Sequence, residues 1–161
     1  SAKADLGGGA LLELSHEIDY IQWLLGPMKV HYAQLRSSSE LNLEVEELVD
    51  LVLVSDAGTV CNIHLDFLQK KVSRVCSFIG EKGRLDWNLK SNTIMLHTGE
   101  GSEVLFSESD WDSNKMYLSL LTDFLDLVAG RENSSVDLEQ ARKTVELIED
   151  IKSCAIQGVK Q

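Results

Sequence analysis

The tightest constraint in this sequence is a pair of short turns in its middle. Gly80-Glu81-Lys82-Gly83 separates two strand-like segments, residues 72–79 and 84–88, and Thr98-Gly99-Glu100-Gly101 separates residues 93–97 from 103–106. Glycine-bearing turns of this length between such runs read as hairpins. A parallel pair would need a crossover of a dozen or more residues, which these loops cannot supply. The middle of the chain is therefore committed to antiparallel pairing. Upstream, residues 48–55 are almost continuously apolar and are followed by the turn chemistry of Asp56-Ala57-Gly58. Residues 60–67 then alternate, with Cys61, Ile63, Leu65 and Phe67 on one face and Asn62, His64 and Asp66 on the other. That pattern is a strand with one buried side. Residues 28–35 form a further candidate strand, and the polar, acidic stretch 37–47 reads as a loop or frayed edge.

Helices flank the strands. In residues 11–25 the apolar positions Leu14, Ile18, Ile21 and Leu25 recur at spacings of 4, 3 and 4, one stripe of a helix. Gly26 and the sole proline, Pro27, stop it. Near the end of the chain Tyr117, Leu120, Leu121, Phe124, Leu127 and Val128 make a second stripe, closed by Gly130. A last helix starts after Ser134-Ser135 and runs to about residue 157, with Leu138, Ala141, Val145 and Ile148 as its expected stripe. Asp137 and Glu139 suit its N-terminal dipole. Helix, strands, then two helices is an α+β order. The expected architecture is an open, mostly antiparallel sheet with helices packed on one face. The other face must be polar or find a partner.

Composition narrows the function classes. A chain of 161 residues with 43% hydrophobic and 25% charged residues is expected to form one globular domain, residues 1–161. A formal net charge of −11 disfavours nucleic acid and anionic membrane surfaces as partners, since phosphate is held by Lys and Arg. No apolar run is long enough to span a bilayer, and residues 1–6 lack a signal pattern. The three cysteines, Cys61, Cys76 and Cys154, are odd in number, widely spaced and without a C-x-x-C pair. Buried thiols in a reducing cytoplasm are the expected reading.

Chemistry concentrates in the first helix. Glu13, His16 and Tyr20 fall at spacings of 3 and 4, so they share a face beside the apolar stripe; Asp19 lies one turn from His16, and Trp23 continues the row. A carboxylate beside an imidazole can set its tautomer and raise its basicity, which suits acid–base work near neutrality. A solvated polar face is the plainer alternative, and no third metal ligand is indicated by spacing. Gly7-Gly8-Gly9 precedes the helix without forming G-x-G-x-x-G, so the dinucleotide fingerprint is absent. Those glycines either admit a ligand close to the backbone or form a flexible lead-in. His31, His64 and His97 sit in expected strands, with solvent or a polar interface as their default, and Glu44, Glu46, Glu47 and Asp50 read as solvated charge. No G-x-S-x-G occurs.

The stretch Gly7 to Gly26 resembles the C-terminal domain of the glucose–fructose oxidoreductase / inositol dehydrogenase / MocA family. The matching features are Gly7-Gly8-Gly9, the apolar triplet Ala10-Leu11-Leu12, Glu13, His16 with Asp19, and Trp23-Leu24-Leu25-Gly26. The stretch Ser77-Phe78-Ile79-Gly80-Glu81-Lys82-Gly83-Arg84-Leu85-Asp86-Trp87 resembles the family's strand–turn–strand hairpin, and Met116-Tyr117 with Phe124-Leu125 resembles the helix after it. Nearly the whole chain matches, in order. One departure stands out: many members carry an Asp four residues before the His, where this chain has Leu12, with Glu13 three before.

The resemblance implies the dihydrodipicolinate-reductase-like C-terminal domain of a two-domain dehydrogenase, with homo-oligomers formed through the exposed sheet face. It implies an oxidoreductase using NAD or NADP on a sugar-like or cyclitol alcohol. His16 would be the acid–base group, alone or with a lysine of the nucleotide-binding domain. Glu13, Asp19, Tyr20, Gly8 and Gly9 would bind substrate. The Rossmann half is missing from this chain, so the expectation is a fragment or truncated product, inactive alone and carrying no cofactor-binding residues. Two other readings stay open: an interaction module that kept the fold and binds through Asn62, His64 and Asp66, and an unrelated α+β binding protein.

Overall fold

The structure, a computed structural model, describes residues 3–37, 41–134 and 136–157. The chain groups into two compact units, residues 1–68 with 136–161, and residues 69–135. The α+β class and the hairpin order are as expected, but the strands divide between two four-stranded sheets.

The first unit holds a short 3-10 turn (Ala4–Leu6), helices α1 (Ala10–Glu13) and α2 (Ser15–Leu25), and strands β1 (Met28–Arg36), β2 (Leu48–Ser55) and β3 (Val60–Asp66). Its sheet runs β3-β2-β1-β8. The last strand, β8 (Ile156–Gln157), pairs parallel to β1 across Gln34↔Ile156 and Leu35↔Gln157, the one parallel ladder among the described residues. Every second residue of β2 faces inward, and Val49, Leu51 and Leu53 join Ala33, Ile63 and Leu65 in the core. Ile18 and Ile21 of α2 and Leu147, Ile148 and Ile151 of α4 (Leu138–Cys154) cover that row. The expected stripe of α2 and the inward face of β3 are both in place.

The expected stripe of α4 is corrected. Leu138 and Val145 are exposed, as is Ala141, and the buried set is Thr144, Leu147, Ile148 and Ile151. Only Ile148 belongs to both sets. The helix starts at an Asp137 cap, whose carboxylate accepts from Gln140 N while the Gln140 side chain accepts from Asp137 N, a capping box.

Two polar contacts place the covering helices. Thr144 Oγ1 donates to Asp19 Oδ1 at 2.7 Å and accepts from Gln22 Nε2 at 3.2 Å, tying α4 to α2. On the opposite, open side of the sheet, His64 is clamped between carboxylates. Its Nδ1 is 2.7 Å from Asp50 Oδ1 on the neighbouring strand and its Nε2 is 3.2 Å from Asp66 Oδ2. The Asp66 side chain is only 3% exposed and also accepts from Leu68 N.

The second unit holds β4 (Val75–Gly80), β5 (Gly83–Asn88), β6 (Thr93–Thr98) and β7 (Gly101–Ser107), paired in chain order as antiparallel hairpins. Residues 72–74 lie ahead of β4 rather than in it. Gly83, at φ +156 and with a Cβ position 2.3 Å from the His97 carbonyl oxygen, has no room for a side chain. On one face Asp86 accepts from Ser77 Oγ at 2.7 Å and from Arg84 Nε at 3.1 Å, and lies 3.1 Å from His97 Nε2. The Ser77 hydroxyl, with the Arg84 bond and charge, holds the Asp86 carboxyl below its usual range. Helix α3 (Asn114–Val128) follows, with the six expected stripe residues all more than half exposed. Cys61 and Cys76 are half-buried and Cys154 is exposed, which corrects the reading of all three as buried; none is bridged.

Two outcomes follow. Thr144→Val removes the donor to Asp19 and lowers stability by about 1–3 kcal/mol in urea denaturation. The Asp50 hydrogen bond raises the His64 pKa from its ordinary 6.5, with the Asp50 and Asp66 charges adding to it against some desolvation. A raised folded-state pKa gives stability that is full below the unfolded value and lost as pH climbs through the folded one. The stability gap between wild type and His64→Gln in urea denaturation should therefore be full below the ordinary histidine pKa of 6.5 and shrink as pH climbs above it. Screening of the half-exposed ring limits it to about 1 kcal/mol.

Candidate functional site

The glycine stretch and the two short helices after it form one local construction. Gly7 (φ 72) and Gly9 (φ 118) take backbone conformations that L side chains avoid. Gly8 N donates to the Lys3 carbonyl at 3.0 Å, and Gly8 and Gly9 are buried. The turn then enters α1, whose N-cap is Gly9 and so has no side chain to satisfy the first amides. Glu46 fills that role from the loop before β2. Its carbonyl accepts from Ala10 N at 3.0 Å and its Oε1 from Leu11 N at 3.1 Å. A Cβ on Gly9 would lie 2.3 Å from that same Oε1.

The expected continuous first helix is broken at Leu14, whose φ −102 and ψ 21 leave the α region. Glu17 N donates to the Leu14 carbonyl at 2.9 Å and starts the second helix. His16 therefore sits in the first turn of α2. Its side chain is 51% exposed, and its Nε2 lies 3.1 Å from Glu17 Oε1, a carboxylate that is itself only 13% exposed. Glu17 is the acidic partner that spacing overlooked, because neighbours in sequence point to different helix faces and are not sought as pairs.

The remaining expected site residues do not all converge. Glu13 is exposed at the end of α1. Asp19 turns inward and accepts from Thr144, which gives it a structural contact. Tyr20 is half-buried and packs against the core. The acidic cluster is also corrected. Glu44 is exposed, but Glu46 caps α1, Asp50 bonds His64, and Glu47 is fully buried. Glu47 N donates to the Arg36 carbonyl, and the Glu47 carbonyl accepts from Phe67 N. No sequence pattern marks a cap supplied from so far along the chain. Among the described residues no group of three His, Cys, Asp or Glu is arranged to hold a metal ion, and no helix is long and apolar enough to cross a membrane.

The site as built offers a partly exposed imidazole and an adjoining shielded carboxylate. A carboxylate at one ring nitrogen fixes the ring's orientation. Such a pair can take up or deliver a proton at an alcohol or carbonyl oxygen.

Comparison with solved structures supports the fold. A 3-ketoreductase, KijD10 of Actinomadura kijaniata, solved with TDP-benzene and NADP, superposes with a TM-score of 0.73 at 17% identity, over 93% of this chain and 48% of that one. A putative oxidoreductase from Erwinia carotovora atroseptica SCRI1043 gives 0.71 at 19% identity, over 93% and 48%. The UDP-N-acetylglucosamine 3-dehydrogenase GnnA of Acidithiobacillus ferrooxidans gives 0.75 at 13% identity, over 91% and 47%. The chain thus spans about half the length of each of these proteins. No curated protein matches it by sequence. The model of the oxidoreductase family C-terminal alpha/beta domain matches residues 2–159, so the chain belongs to the glucose–fructose oxidoreductase / inositol dehydrogenase / MocA oxidoreductase family as its C-terminal domain.

Proposed function

We propose that residues 1–161 act as one substrate-binding and oligomerisation domain of an NAD(P)-dependent oxidoreductase, working on a sugar-like or cyclitol alcohol. The observation that carries this reading is the half-exposed His16 ring beside the shielded Glu17 carboxylate, at the end of a buried glycine turn. Support for the substrate class comes from the structural neighbours, a 3-ketoreductase and a UDP-N-acetylglucosamine 3-dehydrogenase. A nicotinamide held by a nucleotide-binding half would supply hydride exchange with the substrate carbon. His16 then takes the hydroxyl proton in oxidation and returns it to the carbonyl oxygen in reduction. Glu17 orients the ring. Glu13 offers a carboxylate to the sugar's hydroxyls, and Gly8 and Gly9, buried in the structure, would border the sugar only where the turn opens to it. Asp19 and Tyr20 hold the inner border of this face, Asp19 through Thr144 and Tyr20 against the core.

The open side of the first sheet is the proposed self-association surface. It carries Tyr32, bonded through its hydroxyl to Gln34 Oε1, and the Asp50–His64–Asp66 cluster. A reducing cytoplasm suits the unbridged Cys61, Cys76 and Cys154. The same open face favours the second reading, an interaction module without catalysis.

Two measurements decide between them. In the enzyme comprising both halves, His16→Ala should lower kcat by about 10²-fold or more, the scale of a general acid–base group. Wild-type turnover would demote His16 to structure. This chain alone should show no NAD(H) binding by calorimetry, and micromolar affinity would overturn the division of labour.

A further inference from the structure

We infer that Glu46 is a positioning residue for His16, an inference that rests on the catalytic reading of His16 given above. The argument begins with the weakness of α1. It has four residues, far below the length at which a helix holds itself together. Neither its own N-cap, Gly9, nor that of α2, Leu14, supplies a side-chain bond. What holds α1 at its start is Glu46, through Ala10 N to the Glu46 carbonyl at 3.0 Å and Leu11 N to Oε1 at 3.1 Å. Ala10 and Leu11 are themselves fully buried, so this end cannot turn to water for hydrogen bonds.

Glu46 is in turn well placed to act as an anchor. Its neighbour Val45 is buried, and its carbonyl accepts from Ser37 Oγ at 2.9 Å. Its other neighbour, Glu47, is bonded on one side to Arg36 at the end of β1 and on the other to Phe67 just after β3. The carboxylate also occupies the space beside Gly9, so the turn cannot shift toward it. From this anchor to His16 the chain is one α1 segment and the Leu14 break. Loss of the Oε1 bond leaves Leu11 N buried without this acceptor and α1 held at its start by the Glu46 carbonyl alone, so that α1 shifts about Leu14 and displaces the first turn of α2, where the imidazole sits. A misplacement of about 1 Å in a reacting group can cost on the order of 10²-fold in rate.

The test compares Glu46→Ala, Glu46→Gln and His16→Ala in the enzyme comprising both halves, alongside amide hydrogen exchange at residues 10 and 11. Glu46→Ala should speed exchange at Leu11 and lower kcat by roughly 10-fold to 10²-fold, with the nucleotide KM unchanged. Glu46→Gln retains an acceptor oxygen and should restore slow exchange and kcat to within about 2-fold, since a neutral acceptor can replace the charged one at a cap. Wild-type kcat in Glu46→Ala, with His16→Ala impaired, would overturn the positioning role alone. Equal impairment of Glu46→Ala and Glu46→Gln would overturn it too, by showing that charge rather than the cap is what matters. Wild-type kcat in His16→Ala would instead sink the functional reading on which the inference rests.

Discussion

A sheet whose inner face is apolar has to be covered, and in the first unit that requirement organises everything else. The inward row of β2, Val49, Leu51 and Leu53, lies at the middle of the covered face. The residues that close over it come from the two ends of the sequence, Ile18 and Ile21 from α2 and Leu147, Ile148 and Ile151 from α4. At about 25 cal/mol per Å² of apolar surface removed from water, this burial is the dominant stabilising term. Its non-directional character leaves the helices free to slide or rotate. The Asp19–Thr144–Gln22 contacts supply the missing direction, because a polar side chain in a partly buried seam must meet its partner or lose its hydration for nothing.

The same packing decides which side of α2 faces outward. With Ile18 and Ile21 committed to the core and Asp19 to α4, His16 is left at the helix start, on the side the core does not claim. The position of the imidazole is therefore a consequence of core packing before it is a matter of chemistry. The fold itself tolerates wide change in sequence, as the neighbours at 13–19% identity with TM-scores of 0.71–0.75 illustrate.

How much was legible in the sequence follows from the range of the forces involved. Strands and hairpins were readable because side-chain alternation and turn glycines are local signals; β2 and β3 appear almost to the residue. The α2 stripe was readable for the same reason. The α4 stripe is not legible because its apolar residues are spread around the helix, and only contact with β1 and α2 chooses among the possible faces. The resemblance to a known family carried the glycine turn and His16, which local spacing by itself left ambiguous. Glu46, Glu47 and Asp50 read as solvated charge because their partners lie on other elements, at Leu11, at Arg36 and Phe67, and at His64. The Leu14 break has no local signal, since leucine carries no helix-stopping tendency.

The pairing of Gly9 with Glu46 has an evolutionary consequence. A bare backbone at one position and a carboxylate at the other share a single small volume. Glycine at 9 is held twice over, by its positive φ and by the carboxylate beside it, and a shorter side chain at 46 strands a buried amide. Lineages descending from this sequence should keep both, however freely the segments between them diverge.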